Sequence, residues 1–368
     1  MTQVSGLYLH VPFCKHLCNY CDFYKQKLDA DRDQIEEFHQ FLRGSWIRHE
    51  KLMDEQNVTW GPLDTVYLGG GTPSLWGVRG ADFFREFLLT RLTLVNPEFT
   101  MEVDPGTWTV EMMRAWKDVG LNRISIGTQS LDPKFLKIMD RIHSLEETHS
   151  LLEFCRSGDW NFSLDFLLGI PHSQTGKRDI IKELDELLKY QPKHMSLYIL
   201  NARSKYPLVD HIPDDEYIRE EYLLVSEYLR SKGFHHYEVS NFALPGFESR
   251  HNQKYWRGES VGALGPTGTG YFSGSDNKAF RYIWKVMSPE IQPEPLGENE
   301  VNLERIYLSL RTSDGWRPGK TSVELVELFE EWQTRKYGLW NGEIMKLNSL
   351  GFVMLDSLMD DLFRRKLA

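Results

Sequence analysis

Six short apolar segments recur in the first 200 residues, and a stretch of helical periodicity follows each of them. The strand candidates are 6–11 (GLYLHV), 64–70 (DTVYLGG), 99–103 (FTMEV), 122–127 (NRISIG), 161–169 (NFSLDFLLG) and 194–200 (HMSLYIL). Runs this apolar suit parallel strands whose outer face is covered by helices. In the first helical stretch Ile35, Phe38, Leu42 and Trp46 fall at helical spacing. A second covers 80–93. A third, 108–119, sets Val110, Met113 and Trp116 on one side and stops at Gly120, a suitable C-terminal glycine. Others are expected at 145–157, 178–190 and 214–232. Parallel strands joined by right-handed helical crossovers curl into a barrel or a doubly wound sheet. Six units are too few for a closed TIM barrel. The expected fold is therefore α/β, a partial, open (β/α)6 barrel over 1–275, with 235–242 (HHYEVSNF) as an extra strand. Residues 276–289 read as linker. Residues 290–368 read as a small, mainly helical C-terminal domain, winged-helix-like in one form, with helices near 299–311, 321–335, 342–349 and 356–366.

The second constraint is chemical. The chain has four cysteines, and three of them, Cys14, Cys18 and Cys21, lie just past the first strand candidate. Disulfides between such close neighbours would close small, strained loops, so metal binding is the better reading. Cys155 lies on a helical stretch and reads as an ordinary buried thiol. Three thiolates cannot complete a four-iron cluster, because each iron wants an external ligand. One iron stays open. The alternative is structural zinc, which needs a fourth ligand such as His10 or His16. Acidic residues outnumber basic ones, 53 to 43, which argues against a general nucleic-acid binder. No apolar run approaches the roughly 20 residues of a membrane span. The N-terminus lacks the basic start and long apolar stretch of a secretory signal, so a cytoplasmic protein is expected.

The segment LYLHVPFCKHLCNYCDF resembles the opening of radical-SAM proteins, in the branch that contains anaerobic coproporphyrinogen oxidase and the heme chaperones. In order, GGGTPS (69–74), MEVDPGT (101–107), ISIGTQS (124–130), DRIHS (140–144), LDFLLGIP (164–171), MSLYIL (195–200), YEVSNFA (237–243), HNQKYW (251–256) and ERIYLSLRTSDGW (304–316) resemble the same branch. The resemblance implies a [4Fe–4S] cluster on Cys14, Cys18 and Cys21, with S-adenosylmethionine (SAM) chelating the open iron. One electron can then break the sulfonium C–S bond to give a 5′-deoxyadenosyl radical.

The resemblance further assigns Gly70, Gly71 and Thr72 to the amino end of SAM. It assigns Glu102, Gln129 and Asp165 to its ribose hydroxyls or amino group, and Arg141 to its carboxylate. Taken alone, the glycines make only a tight turn. Tyr8 and Tyr20 are candidates to pack near cluster and adenine. His251, Tyr255 and Trp256 belong to the signature HNxxYW, which implies heme contact, since histidine can ligate heme iron and aromatic rings can pack on a porphyrin.

The oxidases carry a fourth cysteine where this chain has Phe23, and they have a longer N-terminal extension. The heme-chaperone side is therefore favoured: binding of heme as cargo and its transfer to heme-requiring proteins, some of them membrane-associated, with a homodimer in equilibrium with monomer. The alternative is a radical-SAM enzyme of porphyrin metabolism. Three departures stand out: Asp104 replaces the usual asparagine, Leu168 a common tyrosine, and Thr269 a family histidine.

Overall fold

A computed structural model describes residues 2–201, 205–274, 277–286 and 288–367. Its centre is a twelve-stranded sheet. The strands are β1 (Thr2–Val11), β2 (Val58–Gly70), β3 (Leu94–Val103), β4 (Arg123–Gln129), β5 (Asn161–Leu168) and β6 (His194–Ile199), then β7 (His235–Glu238), β8 (Asn241–Ala243), β9 (Val261–Leu264), β10 (Thr269–Ser273), β11 (Ala279–Trp284) and β12 (Ile291–Leu296). Their spatial order is β12-β11-β10-β9-β1-β2-β3-β4-β5-β6-β8-β7. Strands β1 to β6 are parallel neighbours, as the βα repeat predicts. The sheet stays open, with β12 and β7 at its edges.

Helices cover the outer face: α1 (Gln34–Glu55), α2 (Gly77–Phe83), α3 (Val110–Asp118), α4 (Pro133–Ile138), α5 (Leu145–Ser157), α6 (Ile180–Leu188) and α7 (Asp215–Ser231). The strand period of two sorts the side chains into two faces. Leu7, Leu9, Val66, Leu68, Phe99, Met101, Ile124, Ile126, Leu164 and Met195 are buried in the core shared with Phe38, Leu42 and Trp46 of α1. The alternate positions are largely polar: Thr65, Tyr67, Thr100, Glu102, Ser125, Ser163, Asp165 and Ser196. That row converges, because Asp165 on β5 and Tyr198 on β6 are close enough to Tyr67 on β2 for their charges to act on it.

The structure departs from expectation at definite places. The segment expected as linker, 276–289, contains β11, and β12 follows it as an edge strand of the same sheet. Pro293 and Pro295 of β12 suit an edge, where the missing N–H groups go unneeded. A seventh parallel strand, β9, pairs with β1 on its other side. The expected extra strand is two, β7 and β8, antiparallel to each other. The second helix changes at Phe84 into a π-helical turn, Phe84–Leu88. Val110 is 41% exposed, and Met112 takes its place beside Met113 and Trp116.

Helix α8 is Arg250–Trp256, and beyond β12 come α9 (Glu298–Leu310), α10 (Val323–Thr334), α11 (Ser349–Val353) and α12 (Leu355–Arg364). The expected helix at 342–349 is instead half of a hairpin, β13 (Gly338–Trp340) with β14 (Met345–Leu347), because Asn341-Gly342 makes the turn, with Gly342 at φ 89°. No helix among the described residues is long and apolar enough to cross a membrane.

A buried ion pair ties this region to the sheet edge. Arg311, just past α9, donates to Glu238 of β7 at 3.1 Å, and its guanidinium lies 3.8 Å over the Trp256 ring. Ser240 N–H and the Asn241 amide complete the shell of Glu238, which is fully buried. Losing one member of such a pair strands the other charge, at a cost of about 3 kcal/mol. Arg311→Met is therefore expected to lower the urea midpoint strongly, and adding Glu238→Gln to recover most of the loss. Equal stability of the single and double variants would contradict this.

Candidate functional site

Strands β1 and β2 end together, with His10 opposite Gly69 and Val11 opposite Gly70. The chain then leaves β1 into a loop carrying all three clustered cysteines. The loop is closed at its neck, where Phe13–Cys14 pairs with Gln26–Lys27, Gln26 N–H reaches Pro12 O at 2.7 Å, and Leu28 N–H reaches Cys14 O at 3.0 Å. Lys25 Nζ donates to the Cys21 carbonyl inside it. Gly70, the last residue of β2, and Gly71 lie against this neck. A Cβ on Gly71 would sit 2.6 Å from the Phe13 carbonyl oxygen, and one on Gly70 (φ 118°) would sit 2.8 Å from the His10 ring. The glycines are thus required first by the cysteine loop.

Cys14, Cys18 and Cys21 share one cavity with Tyr20, Gly71, Thr72, Asp104 and Arg141. All three thiols are free. Cys14 Sγ lies 3.6 Å from Thr72 Oγ1, and Cys18 Sγ lies 3.5 Å from Asp140 O. Burial pushes the Cys14 and Cys18 thiols up, against the Thr72 contact at the first and the Arg141 charge at the second. A bound metal reverses that by taking thiolates as ligands. Burial holds the remote Cys155 at about 12, as an ordinary buried thiol.

Three soft donors on one pinned loop suit an iron–sulfur group. Among the described residues, no three His, Cys, Asp or Glu side chains converge as ligands of a single ion. A cubane makes a different demand, since each thiolate holds its own iron and the donors spread around one cavity. Of the histidines a zinc site would recruit, His10 Nε2 is bonded to Tyr24 O at 2.9 Å and His16 Nε2 faces Asp140 Oδ2 at 2.9 Å. Phe23 is 69% exposed. The donor set fits a four-iron cluster with one iron free of protein ligands.

Arg141 stands at the rim of this cavity, paired with Asp104 at 2.5 Å and 3.4 Å from the Tyr20 hydroxyl. Burial would raise Asp104, but His143 and Arg141 outweigh it and hold the carboxyl at about 2. Glu102 accepts from Tyr67 OH at 3.0 Å and from Gly70 N–H at 3.1 Å. Ser125 Oγ lies 3.1 and 3.3 Å from the two oxygens of Asp165. Burial, and then the charge of Asp165, push Glu102 up to about 8; burial raises Asp165 to about 6 against the Ser196 and Ser125 hydroxyls. Gln129 closes β4 in the left-handed region (φ 62°), at an irregularity in the β4–β5 register. Tyr8 stacks on Tyr67, with centroids 6.2 Å apart, rather than lining the cysteine cavity.

The HNQKYW segment divides. His251 is buried within the barrel, stacked on Tyr67 at 5.3 Å, with Nδ1 bonded to Thr65 Oγ1 at 2.9 Å. Its Nε2 is buried with no partner among the described residues, and burial, with Lys254 and Arg123 adding to it, lowers the ring to about 3. Tyr255 touches His251 edge-on at 5.4 Å and lines a separate cavity of about 740 Å³. Trp256, Thr269, Tyr271, Tyr307, Met359 and Phe363 also line that cavity, which α12 roofs.

Residues 8–184 match the model of the Radical SAM superfamily. The chain is 31% identical to the heme chaperone HemW of Lactococcus lactis subsp. lactis over 351 residues, covering 90% of this chain and 85% of that one. The chain belongs to the HemW family of radical-SAM proteins. It is also 30% identical to the heme chaperone HemW of Bacillus subtilis, covering 74% of this chain and 72% of that one. It is 29% identical to the bovine mitochondrial radical S-adenosyl methionine domain-containing protein 1, covering 99% and 88%. Among solved structures it resembles coproporphyrinogen III oxidase (HemN) from Escherichia coli, a radical SAM enzyme, with a TM-score of 0.79 at 14% identity over 98% of this chain and 89% of that one. At that identity the likeness establishes the fold.

Sequence reasoning missed Tyr67, which orients Glu102, and His143, which backs Asp104; neither stands out without its partner. The raised Glu102 carries a pH signature. Folded Glu102 keeps its proton up to about 8, whereas in the unfolded chain it is lost near 4.5. The folded state therefore loses stability as pH rises between those values. In cofactor-free protein, the melting temperature of Glu102→Gln relative to the parent is expected to climb from about pH 5 to about pH 9. A flat or falling difference would show that Glu102 ionises normally.

Proposed function

We propose that this chain is a heme chaperone of the radical-SAM type, holding a [4Fe–4S] cluster on Cys14, Cys18 and Cys21, with SAM beside it, and passing heme to heme-requiring proteins. The observation that carries the reading is the shared cavity: three free thiols of one pinned loop face Gly71, Thr72 and Arg141, in a chain whose relatives are named heme chaperones. Held by Cys14, Cys18 and Cys21, such a cluster would supply a single electron to the sulfonium of SAM. This chain's residues do the rest. Thr72 and the Gly70–Gly71 backbone face the amino end, Arg141 the carboxylate, and Glu102, Gln129 and Asp165 the ribose side. A carboxylate suits ribose because each oxygen accepts a hydroxyl hydrogen bond. We place the protein in the cytoplasm, with recipients that include membrane-associated proteins and with a homodimer in equilibrium with monomer.

Heme is assigned to the helix α8 signature. The cavity beside Tyr255 and Trp256 is within the size range of small-molecule sites and has the aromatic lining a porphyrin face prefers. His251 stands one ring behind it with an unpartnered Nε2. Thr269 also lines this wall.

The alternative, a radical-SAM enzyme of porphyrin metabolism, is favoured by the HemN-like fold alone. Anaerobic reconstitution separates the two. A heme chaperone saturates near one heme per chain and forms no protoporphyrinogen from coproporphyrinogen III with SAM and a reductant; product formation would select the enzyme. Cys18→Ser should lose iron, sulfide and cluster absorbance, because a hydroxyl is a poor soft-metal ligand. Trp256→Ala and His251→Ala should each weaken heme binding at least about tenfold, equivalent to about 1.4 kcal/mol, with the cluster intact. Unchanged heme affinity in both would remove α8 from the heme site.

A further inference from the structure

Arg141 is already occupied. Both hydrogens of its Nη2 are committed, one to Asp104 Oδ2 at 2.5 Å and one to the Gly127 carbonyl at 3.1 Å. Among the described residues, Nη1 has only a long contact to Tyr20 OH, at 3.4 Å, while Nη2 also lies 3.4 Å from His143 Nδ1. Asp104 is itself fixed. Its Oδ1 accepts Gly106 N–H at 2.9 Å, its Oδ2 lies 3.6 Å from His143 Nδ1, and its carbonyl accepts Thr107 N–H and Oγ1–H at 3.0 and 2.9 Å. The side chains are 13% and 19% exposed, so solvent screens the pair little. Asp104 and Arg141 both line the cavity that the three cysteines face.

We propose that Asp104 competes with the carboxylate of SAM for the Arg141 guanidinium and so sets how tightly the cofactor is held. The inference rests on the reading of Arg141 as the contact for that carboxylate. A carboxylate is bound best by two parallel N–H groups of one guanidinium. Here it must use the N–H groups Asp104 leaves over, beside a fixed negative charge, or displace that charge. An asparagine at 104 keeps an oxygen for Gly106 N–H and removes the charge. Arg141 is then a buried cation short of its counter-ion, a state that an incoming carboxylate relieves.

The experiment compares reconstituted parent, Asp104→Asn and Arg141→Ala by equilibrium dialysis, with SAM and with decarboxylated SAM, cluster content being matched by iron, sulfide and absorbance. Asp104→Asn is expected to bind SAM about tenfold more tightly and decarboxylated SAM no more tightly than the parent does. Equal or weaker SAM binding overturns the proposal and makes Asp104 a positioning residue for Arg141. Equal tightening of both ligands also overturns it, since no carboxylate is then in competition. If Arg141→Ala binds SAM as well as the parent, the underlying assignment of Arg141 fails instead. Should Asp104→Asn not hold its cluster, Asp104→Ser serves in its place with the same outcomes.

Discussion

The site depends on the parallel pairing of β1 with β2 carried to the last residue of both. Because the two strands stop side by side, the cysteine loop that follows one and the glycine turn that follows the other leave the sheet in contact. The contact is backbone on backbone: Gly71 N–H reaches Val11 O at 2.8 Å, and there is no room for a Cβ between Gly71 and Phe13. Thr72 is thereby delivered to Cys14. A shift of one residue in this register would turn the inward row outward and part the two loops at once. Sequence positions 14 and 72 are distant along the chain, and this pairing is what makes them one site.

The inner face of the sheet carries the second constraint. Packed barrels fill their interior with branched apolar side chains. Here the inward positions hold hydroxyls, carboxylates and Arg123 instead. Such a row is costly unless its members satisfy one another. They do so across neighbouring strands: Tyr67 to Glu102, Ser125 to Ser163 and Asp165, Thr128 to the Asp165 carbonyl. Burial keeps both Glu102 and Asp165 raised, and the charge of Asp165 raises Glu102 further. The polar interior gives up apolar packing and provides hydrogen-bonding groups for a polar ligand.

How much of this was legible in the sequence follows from how local each signal is. The six parallel strands could be read because their outward rows are apolar. The cysteine and glycine motifs could be read because each is contiguous. Strand β9 is only VGAL, and β11 and β12 are embedded in polar, proline-bearing sequence that carries the signals of a linker. Their strand character comes from pairing with one another and with the sheet edge. Val110 fits the helical period of α3 yet faces solvent, because the buried face is centred on Met112, Met113 and Trp116 and Val110 lies to one side of it. Arg141 and Asp104 were each visible as charged residues; that the second occupies the first depends on the side-by-side pairing of β3 and β4, which no spacing encodes.

Helix α8 shows why a contiguous motif need not be a single site. Glu98 of β3 accepts the N–H groups of Arg250 and His251 at 3.1 and 3.0 Å, and Lys254 meets Asp64 of β2 at 2.9 Å, so this short helix is clamped to the sheet at both ends. Positions four apart share a helix face, which brings His251 and Tyr255 together. The next residue is turned by about 100°; it lines the same aromatic cavity as Tyr255 and reaches on to the C-terminal region. That residue is Trp256, and it lies under the Arg311 guanidinium. One helix thus reaches from the polar interior of the barrel, through His251, to the aromatic cavity under α12 and to the ion pair that holds the C-terminal region in place. Tyr255 is the ring that touches His251 on one side and lines the cavity on the other.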